Sequence, residues 1–137
     1  MYRFILYVSR SCLAQDVADA SVQRIVDVSG PWNTSQGISG ALAFTGDRFA
    51  QVIEGPGSAI AELLRRLRRD PRHSDINVVQ DRASLVRRFA GWSMAYSGPR
   101  ELLAPQLAPL LLGAPGNLRD GAANDLVALM QAFTMGR

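Results

Sequence analysis

Two polar side chains stand where apolar ones belong. Gln51 lies between Phe49 and Ile53 in an alternating stretch, and Tyr7 follows Ile5 in another. On a strand, residues two apart share a face, so both polar groups fall in apolar rows. A buried amide brings two donors and an acceptor, and leaving them unmet costs about 1–3 kcal/mol. A buried phenol also needs a partner. On neighbouring strands the phenol and the amide would satisfy each other. Taken singly, each has a plainer reading: Gln51 on an exposed face, Tyr7 as a core anchor.

Other chemistries find little support. His73 is the one histidine and has no nucleophile at motif spacing, and Cys12 has no histidine near it in sequence. There is no CxxC and no histidine pair to hold zinc. Neither a GxGxxG loop nor a Walker A loop is present. Glu54 ends a strand and Asp70 ends a helix, so each reads as a structural cap or surface charge. Arg65, Arg66, Arg68, Arg69 and Arg72 form a basic run that could grip phosphates. They alternate with Leu63, Leu64 and Leu67, the mark of an amphipathic helix with a solvated face.

The elements that must position these residues follow from periodicity. Tyr2–Ser9 reads as a central strand, apolar on both faces. Asp16–Ser29 has helical spacing and is expected to stop at Gly30 and Pro31, leaving Trp32–Gly37 as a loop. Ile38–Thr45 and Arg48–Glu54 form a hairpin about Gly46 and Asp47. Ser58 to about Arg69 is a second helix, ended by Asp70 and Pro71. A short strand at Ile76–Val79 and a fifth at about Val86–Tyr96 complete the pattern, with Trp92, Met94 and Tyr96 on one face. Past Gly98 the chain becomes leucine-rich and proline-interrupted over Glu101–Leu112. A loop is expected at Gly113–Gly121 and a last helix at Ala122–Met135. The expected class is α+β: a ferredoxin-like βαββαβ(β) sheet with two helices on one face. The two C-terminal helices would cover the other.

The 137 residues suit one core with a few appended elements, and 47% apolar content excludes disorder. No apolar run approaches the roughly 20 residues of a membrane span. The start lacks the pattern of a signal peptide. A lone cysteine fits a reducing compartment, so a cytoplasmic location is expected. Nothing here calls for nucleic acid or a membrane as a partner.

The residues resemble a known family. FILYVSR (Phe4–Arg10), NTSQGISGAL (Asn33–Leu42), RFAQVIEGP (Arg48–Pro56), RRDPRH (Arg68–His73) and FAGWSM (Phe89–Met94) match, in order and spacing, the BLUF domains. These are flavin-binding blue-light sensors, and the likeness spans about residues 1–97. Residues 98–137 would be a two-helix extension packing on the sheet. The resemblance implies that Tyr7 is the photoactive tyrosine and Gln51 its essential glutamine. It implies that Asn33 bonds the flavin ring, that Ile25 packs on it, and that Arg72 and His73 line the site. Arg66 falls at a less regular polar position. Trp92 and Met94 fall at a pair that exchanges places near the glutamine. The ring would lie between the two helices. The implied cofactor is non-covalent FAD, with FMN or riboflavin as alternatives.

The implied mechanism is local. Light excites the flavin, Tyr7 gives an electron, and a proton follows through Gln51. The amide ends rotated or tautomerised, the colour shifts red, and the change decays in darkness. An amide suits this because a flip exchanges donor and acceptor. The fifth strand and C-terminal helices would carry the signal. Three positions depart from the family pattern. Trp32 precedes Asn33, where it would stack on the flavin, offer a second electron donor, or pack on the surface. Ser39 replaces a commoner threonine. Ala50 is small beside Gln51 and would loosen the site. The remaining forty or so residues leave no room for an effector domain. The expectation is therefore a non-enzymatic, homo-oligomeric sensor, at least a dimer, that signals to a separate protein. The rivals are a light-silent or redox flavin protein and a small ferredoxin-like hydrolase.

Overall fold

Strand β1, Tyr2–Ser11, is buried along Phe4–Ser9 on both faces, as a central strand must be. The computed structural model describes residues 1–91, 95–96, 100–111 and 116–135. A short 3-10 turn at Gln15–Val17 leads into helix α1, Ala18–Ser35. Strands β2 (Ser39–Phe44) and β3 (Arg48–Gly55) form the hairpin. Helix α2 spans Gly57–Arg69, strand β4 His73–Ser84 and strand β5 Ala95–Tyr96. Helices α3 (Arg100–Leu111) and α4 (Gly116–Met135) follow. The sheet order is β4-β1-β3-β2-β5, antiparallel except for the β2–β5 pair. This is the ferredoxin-like arrangement, α+β, with β3 interior.

The two sheet faces carry different side chains. On one face Ile5, Ile38 and Ile53 pack against Ile60 and Leu63 of α2. On the same face Leu42, Phe44 and Phe49 pack against Val22 of α1. The opposite face offers Phe4, Leu6, Val8, Ala41, Ala43, Ala50 and Val52. Leu107 and Leu110 of α3 and Leu126, Val127 and Met130 of α4 cover it. The small alanines let these helices approach closely. Ala50 therefore lies on the face away from Gln51. It makes room for the C-terminal helices and does not loosen the Gln51 side.

Four boundaries differ from the sequence reading. Gly30 and Pro31 do not stop α1. Pro31 is exposed, so water can serve the carbonyl that its ring deprives of a donor, and the Thr34 hydroxyl bonds the Gly30 carbonyl at 3.1 Å. Buried Asn33 and half-buried Trp32 anchor the added turn. Strand β4 is longer than Ile76–Val79. Its polar end pairs with Tyr2–Leu6 as an edge strand, where Arg3 and Asp81 form an ion pair at 2.8 Å. The fifth strand is shorter at its start. Residues 85–91 are irregular, because the Arg88 and Phe89 amides bond the Glu54 carboxylate instead of a neighbouring strand. Helix α4 begins at Gly116, inside the expected loop.

Gly40 of β2 leaves no room for a side chain against β3. A Cβ there would sit 2.0 Å from the Val52 carbonyl oxygen, which is backbone and cannot swing away. Gly40→Ala is therefore expected to cost about 3 kcal/mol through overpacking, read as a lower urea midpoint with an unchanged slope.

Candidate functional site

A cleft of about 500 Å³, counted out to its open mouth, lies between α1 and α2 with the sheet as its floor. Helix α1 lines it with Ile25, Ser29 and Asn33, spaced four apart on one stripe. Helix α2 adds Leu63 and Leu67. The sheet supplies Tyr7, Leu42, Phe49 and Gln51. Asp70, Arg72 and His73 close one side. The structure thus brings Tyr7, Ile25, Asn33, Gln51, Arg72 and His73 to one cleft.

Tyr7 and Gln51 oppose each other directly across the β1–β3 ladder. The Tyr7 hydroxyl donates to Gln51 Oε1, and both residues are buried. Burial pushes the Tyr7 phenol well above the ordinary tyrosine range. The Asp70 charge adds to this and Arg72 opposes it. The phenol therefore stays protonated and remains a donor.

His73 bridges sheet and helix. Its Nε2 donates to the Leu67 carbonyl at 2.6 Å, since a carbonyl only accepts. In the neutral ring Nδ1 then accepts from the Ser9 hydroxyl at 2.8 Å. The ring lies 5.9 Å from that of Tyr7, centroid to centroid. Arg72 is clamped by Asp70, with Nη2 2.6 Å from Oδ2. Burial raises the Asp70 pKa, but the hydrogen bonds and charge of Arg72 outweigh it and hold the carboxyl below its usual range.

Arg66 stands apart from the inner cleft. It lies over the Trp32 ring at 4.5 Å, and its Nε is 3.4 Å from Glu62. Both Arg66 and Trp32 line an outer groove that continues the cleft past Asn33 and Arg72. Trp92 and Met94 lie outside the described residues. Sequence reasoning missed Ser29, Asp70, Leu63 and Leu67 as cleft residues. The Ile25–Ser29–Asn33 stripe was available as a signal, but ending α1 at Gly30 hid it. Among the described residues, no cluster of histidine, cysteine or carboxylate fits a metal ion. No helix among them is long and apolar enough to cross a membrane.

Residues 1–95 match the family model described as sensors of blue light using FAD. The chain belongs to the BLUF family. Its matched region is a blue-light-sensing, flavin-binding domain. The BLUF protein BlrB, solved in its dark state, superposes with a TM-score of 0.73 at 37% identity, covering 93% of this chain and 97% of that one. A photoactivated adenylate cyclase beta subunit of Euglena gracilis is 32% identical over 102 residues. That stretch is 73% of this chain and 11% of the cyclase subunit. The blue light- and temperature-regulated antirepressor BluF of Escherichia coli (strain K12) is 29% identical over 80 residues, 58% of this chain and 20% of that protein. The chain thus spans only a small part of these curated BLUF relatives.

The cleft suits the BLUF cofactor. An isoalloxazine is flat, apolar at one end and rich in carbonyls and ring nitrogens at the other. Ile25, Leu42, Phe49, Leu63 and Leu67 offer apolar walls, while Asn33 and Gln51 converge as amides. Arg72 adds a cation near the mouth.

The raised Tyr7 pKa fixes a pH dependence. The folded pKa exceeds the unfolded value of about 10, so the stabilisation is fully present below that pH. It is lost as pH rises beyond it, because the unfolded chain releases the proton first. Urea unfolding of the wild type should therefore show stability falling above about pH 10, and Tyr7→Phe should flatten that slope. Equal slopes would show that Tyr7 ionises normally.

Proposed function

We propose that Tyr7 and Gln51 form the photochemical switch of this BLUF domain. The observation that carries this reading is the hydrogen bond from the Tyr7 hydroxyl to Gln51 Oε1 on the cleft floor. A bound flavin would absorb the blue light and draw an electron from a nearby phenol. Everything else falls to the chain. Tyr7 supplies a readily oxidised phenol, and its Oη proton has one short route, to Gln51 Oε1. An amide that takes this proton on Oε1 and would give one up from Nε2 to the reduced ring stays neutral, and as a tautomer or rotamer it exchanges the donor and acceptor it presents to the cleft. Asn33, at the end of α1, would orient the ring, and Ile25 would pack on it. His73 would hold α2 against β1 through Leu67 and Ser9. Arg72 would face the polar tail, with Arg66 further out along the groove. Trp92 and Met94 are proposed to answer the Gln51 state.

The reading extends to the whole chain. Residues 98–137 are taken as the output extension, supported by α3 and α4 packing on the sheet face opposite the cleft. The chain would act without catalytic turnover of its own, in the cytoplasm, as a homo-oligomer that signals to a separate protein. FAD is the proposed cofactor in the cell.

Protein purified in darkness should show a flavin spectrum that moves reversibly to the red under blue light. Gln51→Leu should abolish the shift while leaving flavin bound, because the walls of the cleft remain. A colourless protein that takes up no added flavin overturns the reading. A flavin spectrum with no reversible shift favours a light-silent or redox role. Light scattering of dark and illuminated samples should give at least a dimer in one state, and a monomer in both removes the oligomer from the proposal.

A further inference from the structure

Glu54 is fully buried on the sheet face opposite Tyr7 and Gln51. Its carboxylate accepts from three donors. Oε2 takes the Arg88 amide at 2.8 Å, and Oε1 takes the Phe89 amide at 2.6 Å and the Ser39 hydroxyl at 3.1 Å. The Ser39 oxygen in turn accepts from Arg87 Nη1 at 3.0 Å. The other end of that guanidinium, Nη2, donates to the Gly37 carbonyl at 2.7 Å. A cation thus balances the buried carboxylate through one serine.

The cluster has two inputs and one output. Its first input is β3, where Gln51 lies three residues before Glu54. Its second is the end of α1, where Gly37 follows Asn33 by four residues. Its output is the backbone at Arg88 and Phe89, three residues before Trp92. Phe89 is fully buried in the same cluster as Leu107 of α3 and Met130 of α4. Hydrogen bonds from amides to a buried carboxylate are strong, and leaving that charge unserved is costly. When β3 shifts, the 88–89 backbone must follow. Strand β3 is paired on both sides, so its residues move together and not singly.

We propose that Glu54, with Ser39 and Arg87, is the positioning group that carries the Gln51 hydrogen-bond state across the sheet to Arg88 and Phe89, and so to α3 and α4. This rests on Gln51 being the switch. It adds the route by which a change on one face reaches helices packed on the other.

The test is hydrogen exchange at the Arg88 and Phe89 amides of the flavin-loaded full chain, in darkness and under blue light. The wild type should change exchange there by about threefold or more on illumination. Glu54→Gln keeps the size of the side chain but replaces an acceptor with an NH2 group. It should retain the reversible red shift and lose most of the light-induced exchange difference. Ser39→Ala leaves both amide bonds and removes the link to Arg87, so it should lose part of that difference. A purely structural Glu54 would instead raise exchange equally in darkness and light and leave the difference intact. That result overturns the relay, as does a wild type that shifts red with no change at 88–89. If Glu54→Gln fails to fold, the wild-type and Ser39→Ala measurements still decide. A wild type without any red shift removes the switch itself, a separate failure.

Discussion

Strand β3 has no exposed side. It pairs with β1 on one edge and β2 on the other, and helices cover both faces. Every polar side chain on it must find its partners inside the protein. Only two such chains lie in its buried core, Gln51 and Glu54, and an odd spacing sends them to opposite faces. Gln51 meets Tyr7 across the ladder. Glu54 meets two backbone amides and a serine. One rigid strand is therefore fixed by polar contacts on both sides, and those contacts define the cleft floor and the path of residues 85–91.

The two faces are built for different tasks. Under α1 and α2 the apolar groups fall into two patches, one around Phe44 and Phe49 and one around Ile5 and Ile53. Tyr7, Gln51 and His73 lie between them. The opposite face is closed, with alanines at 41, 43 and 50 admitting α3 and α4. A cavity on one side and dense packing on the other make the sheet a partition. A change in the cleft reaches the far side through the backbone, since close-packed interiors transmit displacement and do not absorb it.

Much of this was legible in the sequence. Alternation alone put Tyr7 and Gln51 in apolar rows, and the ferredoxin-like strand order, with the first and third strands adjacent, made them neighbours. The match of spaced blocks named the fold and the cofactor class. What was hidden depended on partners distant in sequence. Pro31 reads as a stop, yet its exposed position makes the lost hydrogen bond tolerable. The short strand was expected to end at Val79, yet β1 gives the polar run Gln80–Ser84 a strand to pair with. Glu54 reads as a surface cap because the amides that bury it come from 34 and 35 residues further on. Ala50 was placed beside Gln51 by adjacency in sequence, although adjacent strand residues face opposite ways.

The position of Arg66 bears on which residue gives up an electron. Trp32 and Tyr7 are both oxidisable, and both line the groove between α1 and α2. A guanidinium 4.5 Å above the indole attracts its π electrons and repels any positive charge left on the ring. Removing an electron from Trp32 is therefore harder than from an unaccompanied indole. Glu62, 3.4 Å from Arg66 Nε, keeps the cation on the helix surface and offsets part of that field. Tyr7 differs in the feature that matters most. Its proton already has an acceptor in Gln51 Oε1, and the amide can give up an Nε2 proton in turn, so the phenol can lose charge and proton together while both side chains stay free of positive charge. Arg66, which the family resemblance placed only loosely, thus favours Tyr7 over Trp32 by acting on the competitor.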